Sequence, residues 1–121
     1  MAEPQILLHR FGEVAVAEFQ GEDLLLRSEA DARDLIIAAM GERAGWVALN
    51  EARIDPRFFH LKTGLAGEVL QKFVNYHMKL AIIGDISRYT DKSESLAALV
   101  RESNRRRDVR FVATIEALTG G

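Results

Sequence analysis

Lys79-Leu80-Ala81-Ile82-Ile83-Gly84-Asp85 is the stretch on which the fold turns. Four apolar residues follow one another with no polar residue between them, and a Gly-Asp pair ends the run. A strand with one wet face would alternate. This pattern therefore predicts a central strand of a parallel sheet, covered on both faces. Parallel neighbours need crossover connections, and helical spacing lies on either side. Upstream, Leu65, Ala66, Val69, Leu70, Phe73, Val74 and Tyr76 predict a helix opened by Lys62 or Thr63 and running to about Tyr76. Its apolar positions exceed a single stripe, so the helix is expected to be covered on more than one side, by the sheet and by another helix or a second copy of the chain. Downstream, Ser93 caps a third helix that carries Leu96, Leu99, Val100 and Ser103 on one side, and Val109 to Ala113 is the last strand.

The N-terminal half supplies the rest of the sheet. Gln5 to Arg10 and Val14 to Phe19 are short apolar-rich runs separated by Phe11-Gly12-Glu13, which predicts a β-hairpin. Leu24-Leu25-Leu26 adds a short extended piece or leads into a helix. Ser28, with Asp31 three residues on, predicts the start of that helix, and Gly41 or Gly45 its end. Trp46 to Leu49 is a strand ending at Asn50, followed by a polar loop through Pro56. Thr114 is placed to cap a short final helix through Leu118. The order is β-β-α-β-α-β-α-β-α. The expected fold class is α/β, a small mostly parallel sheet with an N-terminal hairpin and flanking helices, in one domain over residues 1–121.

Composition narrows the function. The chain has 121 residues, 48% hydrophobic and 28% charged, which is ordinary for one globular domain. Sixteen Lys and Arg against eighteen Asp and Glu give a net charge of -2, so a general nucleic-acid binder is not expected. The absence of cysteine excludes a disulfide framework, a thiolate metal site and a cysteine nucleophile. No apolar stretch reaches membrane-spanning length, and Met1-Ala2-Glu3-Pro4 does not read as a secretory signal, so no membrane association and a cytoplasmic location are expected. Thr119-Gly120-Gly121 reads as a polar chain end.

In parallel α/β sheets the functional crevice lies beyond the carboxyl ends of the strands. Here those ends carry Asn50 and its loop, Gly84-Asp85, and Ala113-Thr114. The strongest local feature is His60-Leu61-Lys62-Thr63-Gly64-Leu65-Ala66-Gly67, where a loop enters a helix. Lys62 offers charge to an anion and Gly64 room for close approach; Thr63 is either a cap or a phosphoryl acceptor. A nucleotide P-loop is not expected, because Lys-Thr precedes the glycines rather than following them. Asp55 and His60 share the preceding loop. Histidine exchanges protons near neutral pH, which makes His60 the one candidate for acid-base work. His77 belongs to the far end of the following helix, about 20 Å away at 1.5 Å per residue. His9 has no neighbour at ligand spacing, so no metal site and no cofactor are expected. Asp85, Ser87 and Tyr89 follow the central strand and complete the rim, either as turn residues or as a recognition surface. Arg105-Arg106-Arg107, with Arg101 and Arg110, suits a helix C-terminus.

The run from Phe58 to His77, with Lys79 to Asp85, Tyr89-Thr90 and Glu102-Ser103-Asn104, resembles a bacterial family, domain of unknown function family 4180 (DUF4180). The likeness spans nearly the whole chain and implies a single domain of this length, without an assigned activity. A more distant resemblance is to the STAS domain of anti-sigma-factor antagonists, in which an Asp-Ser-Ser-Gly-Leu motif stands at the same strand-loop-helix junction. The first Ser of that motif is phosphorylated by a partner kinase. Aligning the Gly-Leu pair places Thr63 on the second Ser, Lys62 on the phosphorylated one and Leu61 on the Asp. The likeness implies a STAS-like fold and a protein partner docked at this junction, but the phosphoryl acceptor is replaced by lysine.

Two functions are thus expected. The first is a non-enzymatic protein-binding or regulatory module, using Asn50, Asp55, His60, Lys62, Thr63, Gly64, Asp85, Ser87 and Tyr89, with a homodimer through the Leu65–Tyr76 helix. The second is a small-molecule or anion-binding protein, or an enzyme with His60 as proton carrier and Lys62 as anion holder, on the same rim.

Overall fold

Residues 5–118 are described by the computed structural model, and they build a five-stranded sheet in the order β1-β2-β3-β4-β5. The two terminal stretches discussed above, 1–4 and 119–121, lie outside the described residues. Strands β1 (Gln5–Phe11) and β2 (Val14–Gln20) pair antiparallel. Phe11 stays in the ladder opposite Val14, so the turn is two residues, Gly12 and Glu13, rather than the expected three. Gly12 takes φ +66°, which a tight turn of this hand requires. Strands β3 (Trp46–Asn50), β4 (Lys79–Ile83) and β5 (Val109–Val112) then add in parallel, each beside its predecessor.

Because the strands follow one another across the sheet and such crossovers keep one hand, their helices fall on one face. Helices α1 (Glu29–Gly41), α2 (Leu65–Asn75) and α4 (Glu94–Arg106) all contribute to one core with Phe19, Val47, Leu49, Leu80 and Ile82. The opposite face buries Val16, Ala48, Ala81, Ile83 and Val112 beneath Phe11, Trp46 and the 3-10 turn Ile115–Leu118. β4 is therefore buried on both faces, but only one cover is helical. The Ile115–Leu118 turn stands where a short final helix was expected.

The helix boundaries follow their local chemistry. The Ser28 hydroxyl accepts the Asp31 N–H at 3.2 Å, and the Ser93 hydroxyl accepts the Leu96 N–H at 3.1 Å, so both caps stand as the sequence indicates. α1 ends at Gly41. α2 begins at Leu65, not at Lys62 or Thr63: those two lie in a 3-10 turn, Leu61–Thr63, and Gly64 at φ +81° joins the turn to the helix. α2 buries Leu65, Ala66, Val69 and Phe73 and leaves Val74 and Tyr76 exposed, so its apolar surface is wider than its covered side. No helix among the described residues is long and apolar enough to cross a membrane.

Candidate functional site

The rim begins where β3 leaves the sheet. Asn50 accepts the Ala52 N–H at 2.9 Å and so starts the first of three successive 3-10 turns, Glu51–Arg53, Pro56–Phe59 and Leu61–Thr63. Asp55 starts the second, accepting the Arg57 N–H at 2.9 Å while pairing with the Arg57 guanidinium at 3.0 Å. The Thr63 hydroxyl faces the carbonyls of Arg57 (2.7 Å) and His60 (2.9 Å) and accepts from the Leu65 N–H at 3.3 Å. The segment is thus wound upon itself by its own short polar side chains, as Asn, Asp and Thr do when they compete with regular structure.

A buried arginine ties this segment to the rest of the chain. Arg53 is 4% exposed. Its guanidinium donates to the carbonyls of Phe19, Gln20 and Asp23 at 2.6–3.0 Å, and its own carbonyl accepts from Leu25 and Leu26. Leu26 forms a parallel bridge with Ile54. The expected extended piece at 24–26 is that single bridge.

The second wall of the rim follows β4. Asp85 accepts the Ser87 N–H at 2.8 Å, just ahead of the short helix α3 (Ser87–Thr90), which Ile86 precedes. Arg88 reaches back to Glu51 at 2.7 Å, closing the first 3-10 turn against α3. Tyr89 is sandwiched. Its ring stacks on Phe59 with centroids 4.5 Å apart, and the Arg88 guanidinium lies 4.6 Å from its centroid. His60 meets the same ring edge-on at 5.9 Å.

Between these walls lies a cleft of about 510 Å³. Phe59, Leu61 and Tyr89 supply its apolar surface. His60, Lys62, Arg88 and Lys92 supply its charge, and Ser93 and Ser95, at the start of α4, its hydroxyls. No carboxylate lines it. Arg88 is offset by Glu51, whereas Lys62 and Lys92 have no ion-pair partner among the described residues.

Of the nine residues nominated from the sequence, the fold brings His60, Lys62 and Tyr89 into this cleft. Asn50, Asp55, Thr63, Gly64, Asp85 and Ser87 stand beside it in turns and caps. The chain pattern did not nominate Phe59, Leu61, Arg88, Lys92, Ser93 or Ser95. One signal for the second group was present: Lys92 immediately precedes a helix-capping serine, on the connection that leaves the central strand's rim. His77 lies elsewhere, in a groove with Phe73, Met78 and Val109, and His9 pairs with Glu18 at 2.8 Å. No group of three or more metal-ligating side chains occurs among the described residues.

Two carboxylates on the rim are held in their charged form. The Arg57 guanidinium and then the Arg57 N–H hold Asp55 below the usual carboxylate range, and the Ser87 N–H and hydroxyl do the same for Asp85. A depressed folded pKa gives stability that is present above the unfolded carboxylate range and lost as pH falls through the folded value. Asp55→Asn is accordingly expected to cost stability at pH 7 and progressively less on acidification. Urea midpoints of the two proteins at pH 7 and pH 2.5 check this; a gap that widens in acid would contradict it.

Gly84 holds the same corner. It sits at φ +124°, and a Cβ there would lie 2.9 Å from the Glu51 Cγ. Gly84→Ala is expected to cost roughly 1–3 kcal/mol and to push Glu51 off Arg88. A urea midpoint within error of wild type would remove this reading.

Comparison with protein families gives one finding. The model of a family described as a domain of unknown function, DUF4180, matches residues 11–120. The chain belongs to this family. The match covers β2 to β5 and every residue of the cleft, so the cleft is part of the DUF4180 domain. Comparisons of the DUF4180 chain with curated proteins and with solved structures give no significant match.

Proposed function

We propose that this DUF4180 protein is a non-enzymatic regulatory module, acting in the cytoplasm, that binds a protein partner at its rim cleft. The observation that carries the reading is the cleft itself, an aromatic and aliphatic floor ringed by cations and free of carboxylates, open at the surface where two separate segments meet. Binding is favoured over turnover by what the reactive side chains already do. Asp55, Thr63 and Asp85 are engaged with backbone N–H groups. The His60 ring has no side-chain hydrogen bond among the described residues, so no second group orients it as a base.

The test is capture from a lysate of the source cells with wild type, with Lys62→Glu/Lys92→Glu and with Arg33→Glu on exposed α1. The reading expects a stoichiometric partner on wild type and on the Arg33 variant, lost from the double variant. A partner retained equally by all three would overturn it. The volume of the cleft also lies in the range of small-ligand sites, which supports a second reading in which the occupant is a small anion. Such a ligand would raise the melting temperature by mass action, without any captured protein. We also propose a homodimer through α2, supported by Val74 standing 55% exposed beside Tyr76. Light scattering that gives only a 13.5 kDa species at all concentrations removes it.

A further inference from the structure

We infer that the group recognised in the cleft is a phosphoryl-type oxyanion, held by Lys62 and Lys92. The inference rests on the binding role proposed above and specifies its chemistry.

Charge comes first. The cleft is lined by four cationic or protonatable side chains from two segments far apart in sequence, His60 and Lys62 on one wall, Arg88 and Lys92 on the other. Arg88 is already neutralised by Glu51. The nearby acid Glu94 is engaged with Arg101 at 2.9 Å. Lys62 and Lys92 therefore leave two positive charges facing one space, and a phosphate monoester carries about -1.5 to -2 at neutral pH. A single carboxylate would satisfy only half of that charge.

Donor geometry agrees. Each ammonium offers three N–H donors, and two lysines from separate segments of the lining suit a tetrahedral group whose oxygens point in several directions. The Ser93 hydroxyl accepts from the Leu96 N–H, and its proton remains to be donated. Ser95 is exposed in the same lining. The positive end of α4, which opens here, acts in the same sense.

The aromatic arrangement says what the ligand does not need. Tyr89 has Phe59 stacked on it and the Arg88 guanidinium against it, so its faces are occupied within the protein. Tyr89 therefore offers no open face to a base or other planar ring. The cleft recognises the oxyanion, with the half-buried Leu61 as the apolar contact beside it.

The experiment uses the full chain at fixed ionic strength. Sodium pyrophosphate, inorganic phosphate and N-acetyl-phosphoserine amide are titrated by calorimetry and by thermal melting. The expected result is saturable binding with a melting temperature that rises with ligand. Lys62→Ala and Lys92→Ala should each weaken binding roughly tenfold or more, while Arg33→Ala leaves it unchanged. Phosphoserine amide binding more tightly than phosphate places the group on a protein chain; the reverse order places it on a free metabolite. Absence of saturable binding up to tens of millimolar, or binding equal in wild type and the Lys62→Ala/Lys92→Ala protein, overturns the inference. If it fails while partner capture still depends on Lys62 and Lys92, the binding role stands and only the chemistry of the ligand is wrong.

Discussion

Replacing Arg53 by alanine is expected to cost about 3–4 kcal/mol, the largest loss from any single polar side chain here. Its guanidinium serves three carbonyls, two at the end of β2 and one just beyond it, and it is buried while doing so. Hydrogen bonds to a charged group contribute about 1.5–3 kcal/mol each. Gln20 and Asp23 are exposed, so their carbonyls regain water in the variant, and the loss stays below the simple sum. For a chain of this size the melting temperature should fall by about 12–16 °C. Arg53→Lys should recover less than half of this, because one ammonium cannot reproduce a planar fork aimed at three acceptors. Urea denaturation of the three proteins checks it. A loss under about 1 kcal/mol would mean that the carbonyls find water freely and that Arg53 does not hold the segment. The consequence reaches the cleft, since the Leu26–Ile54 bridge and the turn begun by Asp55 both follow from where Arg53 pins the chain.

The second large effect is expected at Phe59. It is 2% exposed, meets Phe58 edge-on at 5.2 Å and stacks on Tyr89. Phe59→Ala should cost about 3–5 kcal/mol through lost burial and the cavity left behind. Phe59→Leu, which keeps most of the volume, should cost under about 1.5 kcal/mol. The two differ in what they do to the site. Both remove the stack under Tyr89, so both should alter the tyrosine near-ultraviolet dichroism, yet only the alanine variant should lose much stability. Equal urea midpoints for the two variants would show that Phe59 acts as a surface ring rather than as a joint between core and cleft.

The sheet was legible because its signals are local. An unbroken apolar run at 80–83, serine caps at 28 and 93, and a glycine turn at 12 each have one ready solution. The placement of all three long helices on one face was not in those signals. It follows from strand order, which periodicity does not encode. Thr63 looks like a cap, yet α2 starts only at Leu65. Thr63 does accept an N–H, but from Leu65, while its own hydroxyl faces the carbonyls of Arg57 and His60. Three 3-10 turns in the loop after β3 were likewise hidden, since each depends on a short polar side chain bonding two residues ahead or on contacts far along the chain.

The site was half legible for the same reason. His60 and Lys62 stand on a segment whose loop-to-helix pattern draws attention. Tyr89 was found as one of several polar rim residues. Arg88 and Lys92 escaped because their meaning lies in pairing across the cleft: Arg88 is compensated by Glu51, 37 positions away, and Lys92 faces a wall built by residues 59–62. Arg53 reads in sequence as one more charge in a polar loop.

Amine-reactive footprinting tests the central claim, that the cleft is the working surface, most directly. The lysines of the purified chain are labelled beside those of the same chain in freshly lysed source cells, and the sites are read by mass spectrometry. Lys79, over the Trp46 ring, lies away from both the cleft and α2 and serves as the internal control. Lys62 and Lys92 should label several-fold more slowly in the lysate while Lys79 does not change. Lys62 and Lys92 labelling as fast in the lysate as in the purified chain, or protection confined to Lys79, would contradict the claim.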